Sequence, residues 1–151
     1  MLQLANSKPN LGIVGCKMMN GSGDEIDEAG SIVWSDGSAA GFGRGRKDIN
    51  SSDFLYARLV DYISGACIMV RKPIFDDYGG FDTEHFPSYY KDTDLQMHEQ
   101  HEIRKEVWLQ PRSIAIHITH GSFGLEESTK LMQKNSKDFA RKWAFLLRNK
   151  H

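Results

Sequence analysis

The chain has 151 residues, with 19 lysines and arginines against 20 aspartates and glutamates and a formal net charge of −1. That length fits one domain with a real core, and the balanced charge gives no global field for steering nucleic acid or an anionic membrane surface. No run approaches the ~18 apolar residues needed to span a bilayer, and the amino terminus has no basic segment followed by an apolar one.

In chain order, residues 1–7 read as the last turns of a helix ended by Lys8-Pro9-Asn10, because proline disfavours a helical residue before it. Residues 1–10 therefore look like the end of a preceding helix, residues 11–124 like the core, and residues 125–151 like a helical tail of the same unit. Residues 11–19 are β-branched and apolar enough for a buried strand. Asn20-Gly21-Ser22-Gly23 is turn chemistry, and residues 28–34 return as the second strand of a hairpin. From 38 to 53 the composition shifts to Gly, Arg, Ser and Asn, which predicts a long surface loop too flexible and polar for core. Its cations Arg44, Arg46 and Lys47 suit phosphate or sugar contacts as well as solvent.

Residues 60–72 form a near-continuous apolar run broken by Ser64-Gly65-Ala66, consistent with an interior strand after a close approach of backbone. Pro73 suits the first turn of a short helix over 74–78, and Gly79-Gly80 ends it. Residues 92–101 have helical spacing. Residues 105–109 and 113–118 alternate like two strands around Gln110-Pro111. The tail carries Leu131, Phe139, Trp143, Leu146 and Leu147 in an amphipathic helical pattern, broken near Asn135. The order of elements predicts a mixed α/β layer. Cys16 and Cys67 sit in apolar runs and read as small buried hydrophobes, which favours a reducing, cytoplasmic setting.

The most informative stretch runs from Gly79-Gly80-Phe81-Asp82 through Tyr89-Tyr90-Lys91-Asp92-Thr93-Asp94, where two carboxylates open a helix behind an aromatic loop. On residue chemistry alone Asp92 reads as a helix cap and Asp94 as favourable charge near the helix's positive end. Asp94, His98 and His101 share one helical face, which reads as a solvated polar face. His117 and His120 have no cysteine or paired carboxylate in range and do not read as a structural zinc site.

Several motifs in order carry a family resemblance: Gly12-Ile13-Val14-Gly15; Glu28-Ala29-Gly30 with Trp34; residues 60–71 around Ser64-Gly65-Ala66; residues 75–82; residues 90–95; Gln110-Pro111; residues 117–124; and Lys137-Asp138-Phe139 with Lys142-Trp143. Over some 130 residues the chain resembles the carboxy-terminal, acceptor-side half of a family-two type inverting glycosyltransferase. The resemblance implies a GT-A-like partial domain, a mixed sheet with a carboxy-terminal amphipathic helix, whose nucleotide-binding half lies outside this chain.

It further implies transfer of a sugar from a nucleotide-diphosphate donor to the hydroxyl of a glycan or other acceptor. Asp92 would be the general base, since a hydroxyl attacks well only when its proton has somewhere to go. Ser64, Gly65, Ala66, Tyr89, Tyr90 and Trp34 would contact the acceptor, and Arg44 and Arg46 the donor diphosphate. His117 would lie near a Mg²⁺ or Mn²⁺ held mainly by the absent half. Asp92-Thr93-Asp94 spells the Asp-x-Asp of such metal sites but occupies the wrong place for one. Where relatives usually have glutamate before the base this chain has Lys91, an ammonium that would favour ionised Asp92 and weaken it as a base. They also usually have a glycine where this chain has His101-Glu102-Ile103. The full-length enzyme would be cytoplasmic or peripheral at the membrane. Two rival readings remain: a noncatalytic carbohydrate-binding or assembly module on the same scaffold, and a metal-dependent hydrolase built on Asp92, Asp94 and the histidines. An incomplete sheet with an uncovered apolar face also predicts self-association.

Overall fold

Leu11–Met19, an unbroken run of buried residues, forms the central strand β1 of the computed structural model, which describes residues 1–118 and 125–150. Continuous burial is what a strand covered on both faces requires. A short helix α1 (Leu2–Ser7) precedes it. The remaining strands are β2 (Ile26–Glu28), β3 (Ser31–Val33), β4 (Ala39–Gly41), β5 (Arg58–Leu59), β6 (Ile68–Val70) and β7 (Glu106–Ile116). The remaining helices are α2 (Lys72–Tyr78), α3 (Lys91–His101), α4 (Leu125–Lys142) and α5 (Ala144–Leu147).

The result is a mixed α/β architecture. In the main sheet the order is β2-β1-β7-β5, with β6 also pairing with β1; β1 and β7 are parallel, and the other pairings are antiparallel. A separate two-stranded ribbon joins β3 to β4. No helix of the described residues is long and apolar enough to cross a membrane.

Four expectations change. The predicted second strand splits at Ala29-Gly30 into β2, which stays with β1, and β3, which leaves for the ribbon. Gly30 takes φ 77°, and a Cβ there would lie 2.5 Å from Val60, so the kink needs glycine on both counts. The segment over 38–53 is not simply a surface loop: it contains β4, and Phe42 and Ile49 pack against the core beside fully buried Phe54. The two strands predicted around Gln110-Pro111 are one strand, whose register against β1 slips between Cys16↔Gln110 and Lys17↔Ile114. Such a slip absorbs the proline without ending the strand.

The fourth change concerns the tail, which is continuous through Asn135 and breaks instead at Trp143. Asn135 is fully buried, and its side-chain amide donates to the carbonyls of Ser88 (2.5 Å) and Tyr89 (3.3 Å). Those carbonyls belong to a strained segment: Tyr89 and Tyr90 both take left-handed φ, 60° and 64°. Strain of that kind persists only where neighbours hold it, and Asn135 is such a neighbour.

The main core gathers Ile13, Phe54, Ile63, Leu95, Val107 and Leu109 between the sheet and α3. A second cluster, including Val33, Phe86, Met97, Phe139 and Trp143, seats α4 and α5. Within the first layer Glu99 is buried with neither carboxyl oxygen hydrogen-bonded, so close to β1 that a Cβ at Gly12 would lie 2.8 Å from its Oε2. Burial pushes its carboxyl from an ordinary 4.5 up to about 7, opposed by the charge of Lys105. The folded chain therefore keeps a proton that the unfolded chain releases between those values, so stability declines as pH rises from about 4.5 to about 7. The difference is worth about 3 kcal/mol. Glu28, also raised to about 7, acts in the same direction. Urea unfolding across that range should show the decline, and Glu99→Gln should flatten it and stabilise the protein above neutrality. A variant whose midpoint tracks the wild type at every pH would contradict this.

Candidate functional site: a carboxyl pair on one turn

The site is built on the turn over residues 64–67, which closes through a hydrogen bond from the Cys67 amide to the Ser64 carbonyl (3.4 Å). Two successive amides of this turn each hold a carboxyl oxygen from a different element. The Ser64 amide donates to Oε1 of Glu28 on β2 (2.8 Å), and the Gly65 amide donates to Oδ2 of Asp92 on α3 (2.6 Å). A Cβ at Gly65 would sit 3.1 Å from the Asp92 Cβ, so any larger residue here would have to shift Asp92 by a few tenths of an ångström.

Side-chain amides of α3 fix the turn to the helix. Gln96 is fully buried; its Oε1 accepts from the Ile63 amide (2.7 Å), while its Nε2 donates to the Ile63 carbonyl (2.6 Å) and to the Asp92 carbonyl (2.9 Å). One turn further on, Gln100 Nε2 donates to the Asp61 carbonyl (2.6 Å). Gln96 and Gln100 thus satisfy backbone groups of Asp61 and Ile63 that face α3. Asp92 is thereby held in register with Gly65 by contacts on both sides.

The two carboxyls differ in environment. Asp92 is half-exposed, and its Oδ1 accepts from the Thr93 amide (3.0 Å). Glu28 is buried, and burial pushes its carboxyl up to about 7; the bond from Ser64 lowers it, nearby Asp92 raises it, and Arg44 lowers it. Tyr62 completes the cluster. Its phenol is displaced upward, first by burial and then by the charges of Glu28 and Asp92.

A second polar group lies on the neighbouring end of β2. His117 Nδ1 is 2.7 Å from Asp27 Oδ2, and Arg44 donates from Nε to the Asp27 carbonyl (3.2 Å) while its charge lies 3.5 Å from Asp27 Oδ1. With Nδ1 donating to Asp27, the Nε2 lone pair of His117 is left as a metal donor, the arrangement in which carboxylates commonly orient ligating histidines. Among the described residues no group of three or more His, Cys, Asp or Glu side chains could hold a metal ion, so His117 fits as one ligand and not as a centre. His120 lies outside the described residues.

The other sequence-derived candidates divide. Ser64, Gly65 and Ala66 form the turn itself. Tyr89 is half-buried in the strained loop, whereas Tyr90 is a core residue, its ring against Phe139 and its hydroxyl donating to the Gly37 carbonyl (3.1 Å). Trp34 is half-buried at the ribbon turn, linked through backbone bonds to Gly37 and Ser38. Arg46 pairs with Asp48 and lies over the Phe54 ring, away from Arg44's partner Asp27. Lys91 points toward the Phe81 ring (5.8 Å) and makes no ion pair with Asp92 among the described residues.

Asp94 departs furthest from its sequence reading. Far from lying on a solvated face with His98 and His101, it is fully buried and accepts from Tyr78 Oη (2.6 Å), Lys142 Nζ (2.8 Å) and Trp143 Nε1 (2.8 Å). His98 is stacked on Tyr78 at 4.3 Å between ring centroids. The sequence reading quoted Glu28 within a motif yet gave it no role; an acid at a strand end, directly before Ala-Gly, was the available signal. Tyr62 gave none, being one aromatic in a hydrophobic run.

Fold and site define a mixed α/β chain that presents a paired carboxyl centre on one turn. No protein-family model matches the sequence, and none of the curated proteins matches it.

Proposed function

We propose that this chain is the acceptor-side part of an inverting glycosyltransferase of GT-A-like architecture, with Asp92 as the base that takes the proton of the attacking acceptor hydroxyl. The observation that carries this reading is the bond from the Gly65 amide to Asp92 Oδ2: a half-exposed carboxylate is fixed, with lone pairs to spare, on the very turn that the family resemblance makes the floor of the acceptor site. Bond making at the sugar carbon and proton loss to Asp92 would proceed together, and Glu28, buried beneath the same turn, would keep the turn rigid. Ser64, Ala66 and Tyr89 would meet the acceptor, and Arg44 the donor diphosphate. Tyr90 and Arg46 are engaged elsewhere and have no part in this reading.

The bound divalent cation would supply charge stabilisation for the leaving diphosphate, with His117 as this chain's contribution beside ligands from the nucleotide-binding half. That half, or a second copy of this chain, would cover the outward side chains of Ile114, Ile116 and Ile118, which are all exposed on or just beyond β7. Fusing the chain to a nucleotide-binding half and following nucleotide-diphosphate release with an acceptor tests the proposal. Acceptor-dependent release supports it. Glycan binding by the unfused chain that is indifferent to nucleotide and metal, with no release after fusion, would favour the noncatalytic module instead.

A further inference from the structure

The antiparallel pairing of β1 with β6 runs Ile13↔Val70, Val14↔Met69, Gly15↔Ile68. One step further, the register sets Cys16 opposite Cys67. Val14 and Met69 both pack on the face of the sheet covered by α1, and the two-residue period of a strand turns Cys16 and Cys67 to that same face. Directly opposed residues in an antiparallel pair have Cα atoms about 4.5–5.5 Å apart, inside the ~4.4–6.8 Å that a disulfide spans.

Both cysteines are free, and the Cys67 side chain is one of the neighbours that act on the Cys16 thiol. Cys16 is buried at 1% exposure, whereas Cys67 is half-buried and reachable from solvent. Cys67 also closes the turn whose amides hold Glu28 and Asp92. Neither the sequence reading as inert hydrophobes nor the proposed transfer chemistry uses this pair.

We propose that Cys16 and Cys67 are a dithiol oxidation site, converted by a hydroperoxide into an intramolecular disulfide that staples the 64–67 turn to β1. Cys67, the accessible partner, attacks a peroxide oxygen as its thiolate. The O–O bond breaks, the departing oxygen takes up a proton, and Cys67 becomes a sulfenic acid. The Cys16 sulfur then attacks the Cys67 sulfur; the S–O bond breaks, and hydroxide leaves as water with the Cys16 proton. Two electrons pass from the thiol pair to the peroxide. Burial, then the neighbouring Cys67 side chain, pushes the Cys16 thiol up to about 12, so Cys16 stays protonated and inert until a sulfenic acid forms beside it. The site stands whether or not the chain transfers sugars.

The test treats the purified chain with hydrogen peroxide, denatures it, and alkylates with iodoacetamide. Expected is a monomer that has lost two hydrogens per chain, with both alkylation sites lost together and both restored by dithiothreitol. A proteolytic digest should contain the Cys16 peptide joined to the Cys67 peptide. Closing so long a loop should also raise Tm, by roughly 10 °C. Cys16→Ala, which avoids placing a new polar group in the core, should leave Cys67 as sulfenic or sulfinic acid with no internal link. The proposal is overturned if wild-type Cys16 remains alkylatable after Cys67 has been oxidised, or if the only disulfide formed joins two chains.

Discussion

Asp92→Asn in the fused enzyme is expected to lower acceptor-dependent transfer by about 10²–10⁴-fold, the usual worth of a positioned general base, while far-UV circular dichroism and Tm stay near wild type. The asymmetry follows from the site. An asparagine Oδ1 still accepts from the Gly65 amide, so the contact that seats α3 on the turn survives. What the amide cannot do is receive a proton. If Asp92 served only as a helix-opening residue, the substitution would leave transfer untouched. Unchanged turnover with an intact fold would therefore reject the assignment of the base, and donor hydrolysis measured without acceptor would show whether the donor side had been disturbed instead.

How much of this was legible in the sequence depends on whether a residue's neighbours are local or distant. The helix after Tyr90 and the turn at Gly79, with φ 85°, follow from near neighbours, and both could be read directly. So could β1, because its burial is written as a run that is apolar apart from Lys17. Residues whose partners lie far along the chain were misread. Asn135 looked like a helix breaker because asparagine competes with helical hydrogen bonds, yet its amide is committed to carbonyls 46 and 47 residues away. Glu28 meets Ser64 across 36 residues, and Asp92 meets Gly65 across 27. The pairing of two acids with two successive amides is therefore a property of the fold, although each residue stands in a motif the sequence had already singled out. Pro111 misled in the opposite sense: the slip in register against β1 keeps the strand going where a proline predicts its end.

Asp94→Ala is expected to destabilise the chain by about 1–3 kcal/mol, the cost of leaving a buried hydrogen-bond donor unpaired, because the Lys142 ammonium left behind is partly exposed. The Asp94 carboxylate joins α2, α3 and the junction of α4 with α5: Tyr78 donates from the first, Lys142 and Trp143 from the last. Alanine would strand the Trp143 N–H in the interior and leave Lys142 with the Tyr78 hydroxyl at 3.2 Å and a longer pairing to Asp82 at 3.6 Å. The carboxy-terminal helices, seated through Phe139, Trp143 and Leu147, should loosen first, and α4 would then release its hold on the strained loop over Tyr89 and Tyr90 through Asn135. Urea unfolding followed by tryptophan emission should thus show a lower midpoint and red-shifted emission. A cycle with Lys142→Met separates the causes, since a real ion pair gives a coupling energy and loss of packing alone gives none. A loss below about 1 kcal/mol, the scale of an exposed salt bridge, would mean that Asp94 does not tie the helices together, and the alignment of α3 that aims Asp92 at Gly65 would then rest on Gln96 and Gln100 alone.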